Sequence, residues 1–340
     1  MIRIRFASIE DKPYIKRFLG EHWSESSILV TSDVIFDFQY VEDDQCHFVL
    51  AIDDDTKEVF GLKGFFPFNS REEPDIAAAL ATVVQGIRPM LGMEIQQFLE
   101  KNSHCRWLCS TGINPNTSVR VYQMFKNKYI VDTLRQFYRI ADQDTYKIAK
   151  VSNKRILPVE KNEYVFEQFD TIDALQQGFN IDAYMHHRPY KDRAYLNHRY
   201  FCHPVYQYQV LGIRQTDSAH SRSILIAREA SYDGAKALRI VDFIGQHEDI
   251  GKIGYAIAQH IDANAYEYVD FYCYGIEEEY LTKGGFILRD DSDPNIIPNY
   301  FEPFEQKNVD IYFFATKAPS IAVCKADGDQ DRPNVLPEGL

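Results

Sequence analysis

The chain has 340 residues, 45% of them hydrophobic and 14% aromatic, and 37 basic against 50 acidic side chains leave a net charge of −13. This composition supplies a large packed core for two domains of ordinary size and argues against disorder. An acidic chain is poorly suited to tracking a nucleic-acid backbone, so that class of partner is set aside.

The charge is uneven. Residues 1–150 carry 18 basic and 21 acidic side chains, and residues 151–340 carry 19 and 29, so an anionic ligand meets less repulsion in the first half. Cys46, Cys105, Cys109, Cys202, Cys273 and Cys324 form no CxxC pair and read as reduced thiols of a cytoplasmic protein. Met1 leads straight into an alternating pattern. No apolar run approaches the ~18–20 residues that span a bilayer, so no membrane partner is expected.

Residues 2–7 (IRIRFA) alternate as a half-buried strand does. Ser8-Ile9-Glu10-Asp11 then starts a helix whose apolar face is Ile9, Tyr14, Ile15 and Phe18. Residues 47–53 and 59–66 form a hairpin around Asp54-Asp55-Thr56-Lys57. The alanines of 76–84 leave strand and helix both open. Leu91, Ile95, Phe98 and Leu99 recur at helical spacing, 107–113 reads as a buried strand, and 116–126 as a short helix.

A similar order returns about 160 residues later, which suggests an internal duplication too long for a solenoid repeat. It comprises a strand at 164–169, a helix to Phe179, strands near 206–213, 223–229 and 237–244, a helix at 248–263, a strand at 268–275 and a helix at 277–283. The expected division is therefore a first domain over 1–145, a linker over 146–160 within the polar stretch 142–160, and a second domain over 161–324. Residues 325–340, with Asp, Pro and Gly prominent, read as an extended tail.

Two constellations carry chemistry. In the first, an apolar stretch enters a turn containing Gly86, Arg88, Pro89 and Gly92, and an amphipathic helix leaves it. Free N–H groups at such a helix start suit a pyrophosphate, though an ordinary strand-to-helix connection has the same pattern. In the second, Asn114 follows a strand, and Ser118, Val121, Tyr122 and Phe125 follow at helical spacing.

Taken together, these segments resemble the acetyl-CoA-binding core of the GNAT superfamily of acyl-CoA-dependent N-acyltransferases. The resemblance implies a mixed α/β fold: two tandem GNAT-like domains, each a mixed, mostly antiparallel sheet flanked by helices. That family's pyrophosphate turn is Arg/Gln-x-x-Gly-x-Gly/Ala. With Gly92 last, Ile87 stands first and Met90 at the inner glycine, so one marked position of three is kept, with Arg88 beside the first. The resemblance implies coenzyme A contacts at Val83, Val84, Arg88, Leu91, Gly92, Met93, Asn114 and Ser118. It also implies that Tyr122 protonates the departing thiolate, a role suited to a phenol that stays protonated at neutral pH.

In the second half, Gln246-His247-Glu248-Asp249 puts two carboxylates where the first half has its turn, and Leu281 takes the tyrosine's place, one residue off Tyr280. One working site, in the first half, is expected, with the second half serving acceptor binding and support.

The strings EHWSESSILV, YLNHRYFCHPVYQY, IVDFIG, IIPNYFEPF and DGDQDRPN also resemble two-domain GNAT proteins of bacterial surface-polysaccharide pathways. Those proteins acylate the amine of a nucleotide-linked amino sugar. His22, Trp23 and Tyr40 fall where this fold meets its acceptor, and Arg199, Tyr200, Asn299 and Tyr300 offer groups suited to a nucleotide diphosphate. A core or structural role is the competing reading for each.

The strand 76–84 has no carboxylate to act as a base, so water or His22 is the candidate. His186, His187, His198 and His203 match no standard zinc spacing, and no metal is expected. Two alternatives remain at this stage: a tandem acyltransferase using a peptide or aminoacyl-type acceptor, and a non-catalytic acyl-CoA or nucleotide-sugar binder. A monomer or homodimer is expected.

Overall fold

The computed structural model describes residues 1–337, so residues 338–340 of the expected tail lie outside the described residues. The first half opens with β1 (Ile2–Ser8), α1 (Lys12–His22), α2 (Ile28–Thr31), α3 (Asp33–Tyr40) and the two-residue β2 (Val41–Glu42). The hairpin β3 (Gln45–Asp53) and β4 (Glu58–Pro67) follows, then β5 (Asp75–Val83), α4 (Leu91–Asn102), β6 (Trp107–Thr111), α5 (Ser118–Gln123) and the long β7 (Tyr129–Ile140).

The second half repeats the scheme. It runs β8 (Tyr164–Phe169), α6 (Ile172–Gly178), α7 (Arg193–Leu196), β9 (Tyr208–Gln215), β10 (Ser223–Tyr232), β11 (Ala235–Ile244), α8 (Glu248–Lys252), α9 (Gly254–Asn264) and β12 (Tyr266–Tyr274). Its last elements are α10 (Glu278–Lys283), β13 (Ile287–Leu288), β14 (Tyr300–Phe301), β15 (Phe304–Glu305), β16 (Ile311–Thr316) and β17 (Val323–Cys324). The alanine-rich segment open between helix and strand is β5. The expected helix 248–263 is two helices, parted at Ile253.

One sheet runs through both halves in the order β1-β3-β4-β5-β6-β16-β7-β12-β11-β10-β9-β8. The halves exchange strands at its centre. β16, from the end of the chain, lies between β6 and β7, while the second part of β7 pairs with β12 on one side and with β13 on the other. The polar segment after β7 is tethered too, because the Glu267 carboxylate accepts the N–H groups of Lys147, Ile148 and Ala149.

Amphipathic helices cover the first half on both faces, each burying its apolar stripe on the pleated sheet. Ile15, Phe18 and Leu19 of α1 and Ile35 and Phe36 of α3 pack with Phe48, Leu50 and Leu62. Across the sheet, Leu91, Ile95 and Leu99 of α4 and Tyr122 of α5 pack with Val49, Ala78, Leu108 and Phe314. A further core joins the halves, bringing Trp107 and Phe313 together with Phe169, Tyr195 and Tyr272.

The expectation of an extended tail is corrected. Val323 to Gly328 are buried, and so are Asp331 and Pro333. Charged residues made this stretch look solvated, but its charges have buried partners. Asp331 Oδ1 accepts from Arg228 Nε at 2.7 Å, and Lys191 Nζ lies 2.6 Å from Asp327 and 2.5 Å from Asp242.

Candidate active site

Parallel strands diverge when only their first residues share a ladder. β5 and β6 pair over Asp75–Ala77 and Trp107–Cys109, and beyond that β5 keeps its ladder on the β4 side alone. The β4–β5 register skips Leu80, a bulged residue with a φ of +40°, a conformation rare for a leucine and typical of strain held at a site. The opening is a cavity of about 400 Å³. Leu80 and Ala81 form one wall, and Ser110 to Asn114 with Ser118 and Tyr122 form the other.

Tyr122 is buried on α5, its ring stacked 3.7 Å from that of Phe314. Its hydroxyl accepts from Lys63 Nζ at 2.9 Å and donates to Gln96 Oε1 at 3.2 Å. Burial pushes the phenol well above its usual value. The Lys63 ammonium, buried and 5.5 Å from the Phe314 ring centroid, is pushed down to about 8 by desolvation, against the pull of Glu100. The chain of contacts continues from Gln96 Nε2 to Glu100 at 2.8 Å, and Tyr129 and Lys128 donate to that same carboxylate. Lys63 is one positive charge in the otherwise apolar run VFGLKGFF, a signal visible in the sequence but not used.

The residues implied for coenzyme A fall in three places. Asn114 and Ser118 line the cavity, and Asn114 Oδ1 also accepts the N–H groups of Asn116 and Thr117, ordering the loop into α5. Val83 and Val84 are half-buried where β5 ends. Leu91 and Met93 turn their side chains into the core, so their backbone alone is available at the start of α4. Gly92 is open, since an added Cβ would meet only Val83, at 3.8 Å. Arg88 is exposed and paired with Glu94 at 2.5 Å.

The residues proposed for the acceptor do not all converge. Trp23, Asn299 and Tyr300 line the cavity. His22 lies in a separate shallow depression with Tyr14, Phe60 and Ile87. Tyr40 is fully buried in the helical core and lines neither large cavity. Arg199 is tied to Tyr208 Oη at 2.8 Å and to the Asp331 carbonyl at 2.7 Å, and Tyr200 donates to Asp242 at 2.6 Å. These last three side chains are committed to holding the fold together.

Sequence reasoning found Asn299 and Tyr300 of the second-half wall but missed its charged residues. Lys325 is buried and donates to Asn299 Oδ1 at 2.8 Å, with burial and the nearby Arg239 and Arg228 holding its ammonium well below the usual lysine range. Arg228 and Asp329 complete that wall. Local periodicity has no way to bring residues from positions 228 and 325 to a cavity built by β5 and β6.

The second half has the same opening, and it is filled. β11 and β12 pair in parallel through Ile240, and the β10–β11 register skips Val241. Into the gap comes β17: Cys324 and Val323 pair with Cys273 and Tyr274, and Ala326 N–H donates to the Val241 carbonyl. Turn and helix differ as well, since Asp249 at the start of α8 is buried and accepts from Ser223 at 2.7 Å.

Asp242, Cys324 and Asp327 lie close enough to share a cation, but the Lys191 ammonium already bridges both carboxylates. The four histidines do not converge. His198 contacts the Phe38 carbonyl at 2.8 Å, and His203 accepts the N–H groups of Val205 and Tyr206.

No family model and no curated protein matches the sequence. Among solved structures the chain is similar to a GCN5-related N-acetyltransferase from Anabaena variabilis, at 12% identity, over 93% of this chain and 72% of that one, with a TM-score of 0.52. It is also similar to a conserved protein of Enterococcus faecalis described as a probable N-acyltransferase, at 10% identity over 93% and 72% of the two chains with a TM-score of 0.49. A GCN5-related N-acetyltransferase from Kribbella flavida gives 10% identity over 93% and 70%, with a TM-score of 0.48.

The fold is therefore of the GNAT type, mixed α/β with a large and mostly antiparallel sheet. Among the described residues, no helix is long and apolar enough to cross a membrane.

Proposed function

We propose that the protein is an acyl-CoA-dependent N-acyltransferase with one working site, the opening between β5 and β6. The observation that carries this reading is the unfilled divergence of those strands, with the Leu80 bulge on one side and Tyr122 on the other. An extended acyl-CoA arm with its amide groups suits a strand edge that has no ladder partner on that side, and the start of α4, beside Arg88, suits its pyrophosphate.

The placement of groups supports the following chemistry. An acceptor amine attacks the thioester carbonyl, a new C–N bond forms, the nitrogen gives up one proton to a base (water in the simplest case), and the C–S bond breaks as electrons move onto sulfur. Leu80, whose backbone stands outside the ladder, is placed to receive the developing oxyanion. Tyr122 gives its proton to the thiolate, and the Lys63 ammonium at 2.9 Å stabilises the phenolate left behind. Coenzyme A is the co-substrate, and no step calls for a metal.

For the acceptor we favour the amine of a nucleotide-linked amino sugar of surface-polysaccharide assembly. Two guanidinium groups at the second-half wall, Arg332 and the Asp331-paired Arg228, support it as partners for phosphates in a protein of net charge −13. The turn around Met90 supports a second reading, a non-catalytic acyl-CoA sensor, because Glu94 there competes with a pyrophosphate for Arg88.

Thiol release from acetyl-CoA in the presence of UDP- and dTDP-linked amino sugars, with mass spectrometry of the products, separates the two. Acylated sugar supports the enzyme. Calorimetric binding of acetyl-CoA without product from any amine supports the sensor, and no binding at all contradicts both.

A further inference from the structure

A second cavity, of about 350 Å³, lies beside the first. The rings of Phe38 and Phe66 from the first half face Tyr195 and His198 from the second. Asp329 and Arg332 line both cavities, so these two side chains stand where one opens onto the other.

Most charges in this second cavity are already answered. Asp192 accepts from the Ser70 N–H and hydroxyl and from the Tyr195 N–H. Arg199 and Asp331 answer one another, and Glu42 is exposed and 3.5 Å from His47. Arg332 is different. Its Nε and Nη1 are buried with no hydrogen-bond partner among the described residues, and the nearest carboxylate, Asp329, stands 3.7 Å away. Among the described residues, Asp329 holds besides Arg332 only a 3.4 Å contact from the neighbouring Gln330 amide. Two buried guanidinium N–H groups facing a carboxylate only at 3.7 Å are under-satisfied, and a bound oxyanion within hydrogen-bond reach removes that cost.

We propose that this cavity seats a small amine that also carries an oxyanion, a carboxylate or a phosphate. Arg332 takes the oxyanion, the rings of Phe38, Phe66, Tyr195 and His198 take the body of the molecule, and Asp329 holds the amine at the passage to the first cavity. The assignment rests on the acyltransferase reading only for its consequence: an amine held at Asp329 stands next to the thioester, and the carboxylate is placed to accept its proton. This is a base that sequence inspection did not find in β5, contributed instead by the end of the chain.

Two probe pairs differing in the oxyanion test it: tyrosine against tyramine, and glucosamine 6-phosphate against glucosamine. Calorimetry on the full chain, as wild type and Arg332→Gln, is the readout. The Gln substitution removes no hydrogen bond and only the 3.7 Å ion pair with Asp329, circular dichroism checks that the fold is kept, and Arg332→Lys keeps the charge as a control.

The expected result is a preference of about tenfold or more for the oxyanion-bearing member of at least one pair, lost in Arg332→Gln and partly kept in Arg332→Lys. The pair that responds says whether carboxylate or phosphate is the natural group. Equal affinity within both pairs, a preference that survives Arg332→Gln, or no binding by any of the four overturns the assignment.

Thiol release with acetyl-CoA, run in parallel, keeps the two readings apart. An Arg332-dependent preference without transfer to these probes or to UDP- and dTDP-linked amino sugars leaves the cavity assigned and removes the acyltransferase. Transfer to amines with no oxyanion preference does the reverse.

Discussion

The two openings of the sheet were built alike and have diverged in what fills them. In each, parallel strands separate after a few paired residues and the register skips one residue beyond the last shared pair. In the first half, Leu80 faces a cavity of about 400 Å³. In the second, Val241 receives a hydrogen bond from Ala326, and β17 occupies the gap. In the proposed function, ligand capacity depends on whether the strand edge remains unpaired. Here the chain's own end pairs one edge and then runs on to line the other cavity. One segment closes the second site and helps to build the first.

The comparison breaks most visibly at the plug. Asp327→Ala leaves Lys191 paired with Asp242 but removes the carboxylate that accepts the Cys324 N–H at 2.7 Å and pins β17 to that pair, and a loss of about 1–3 kcal/mol is expected from the buried donor left unsatisfied. Chemical denaturation measures it. A change below about 0.5 kcal/mol means that the plug is not a structural part of the fold. Tyr122→Phe acts at the open site instead. Loss of the proton donor lowers kcat about 10²-fold with little change in KM for acetyl-CoA, and an unaltered kcat removes Tyr122 from the chemistry.

Lys63→Met sharpens the picture by moving stability and turnover in opposite directions. Desolvation lowers the Lys63 ammonium to about 8, so the folded protein holds fewer protons than the unfolded chain between that value and 10.5. Wild-type stability therefore rises with pH across this window through Lys63, and below it the buried ammonium is a full burden. The Met variant is expected to be more stable at pH 7 by about 1–2 kcal/mol, while kcat falls about tenfold. For the wild type, kcat declines as pH rises through about 8, where the ammonium is lost. A flat profile there argues that Lys63 only fills space.

The smallest effect is at the turn. Arg88 is an exposed partner of Glu94, so Arg88→Gln leaves stability unchanged and weakens acetyl-CoA about three- to tenfold. Unchanged affinity places the pyrophosphate elsewhere.

Much of the fold was legible because local pattern determines local structure. The alternation of IRIRFA, the hairpin around Asp54–Lys57 and the spacing of Leu91, Ile95 and Leu99 all appear as written. What was not legible depends on distant partners. DGDQDRPN reads as solvated because it is rich in charge, yet Asp327 and Asp331 are buried against Lys191, Arg228 and Arg199, which lie more than one hundred residues earlier. The exchange of β7 and β16 is likewise a matter of sheet order, and no periodicity encodes it.

The site divides along the same line. Tyr122, Asn114 and Ser118 lie on consecutive elements of the first half and were found together. Lys325, Asp329 and Arg332 come from the other end of the chain. Tyr40, Tyr200 and Arg199 have the right chemistry for a ligand, but their burial and their partners give them structural work.

The central claim is that one opening takes acyl-CoA and the other cannot. Calorimetric titration with acetyl-CoA, paired with hydrogen exchange of the complex, tests it directly. The expected result is one site per chain, with new protection confined to residues 79–93 and 110–118. Two sites, or new protection at residues 241–254, would contradict the account.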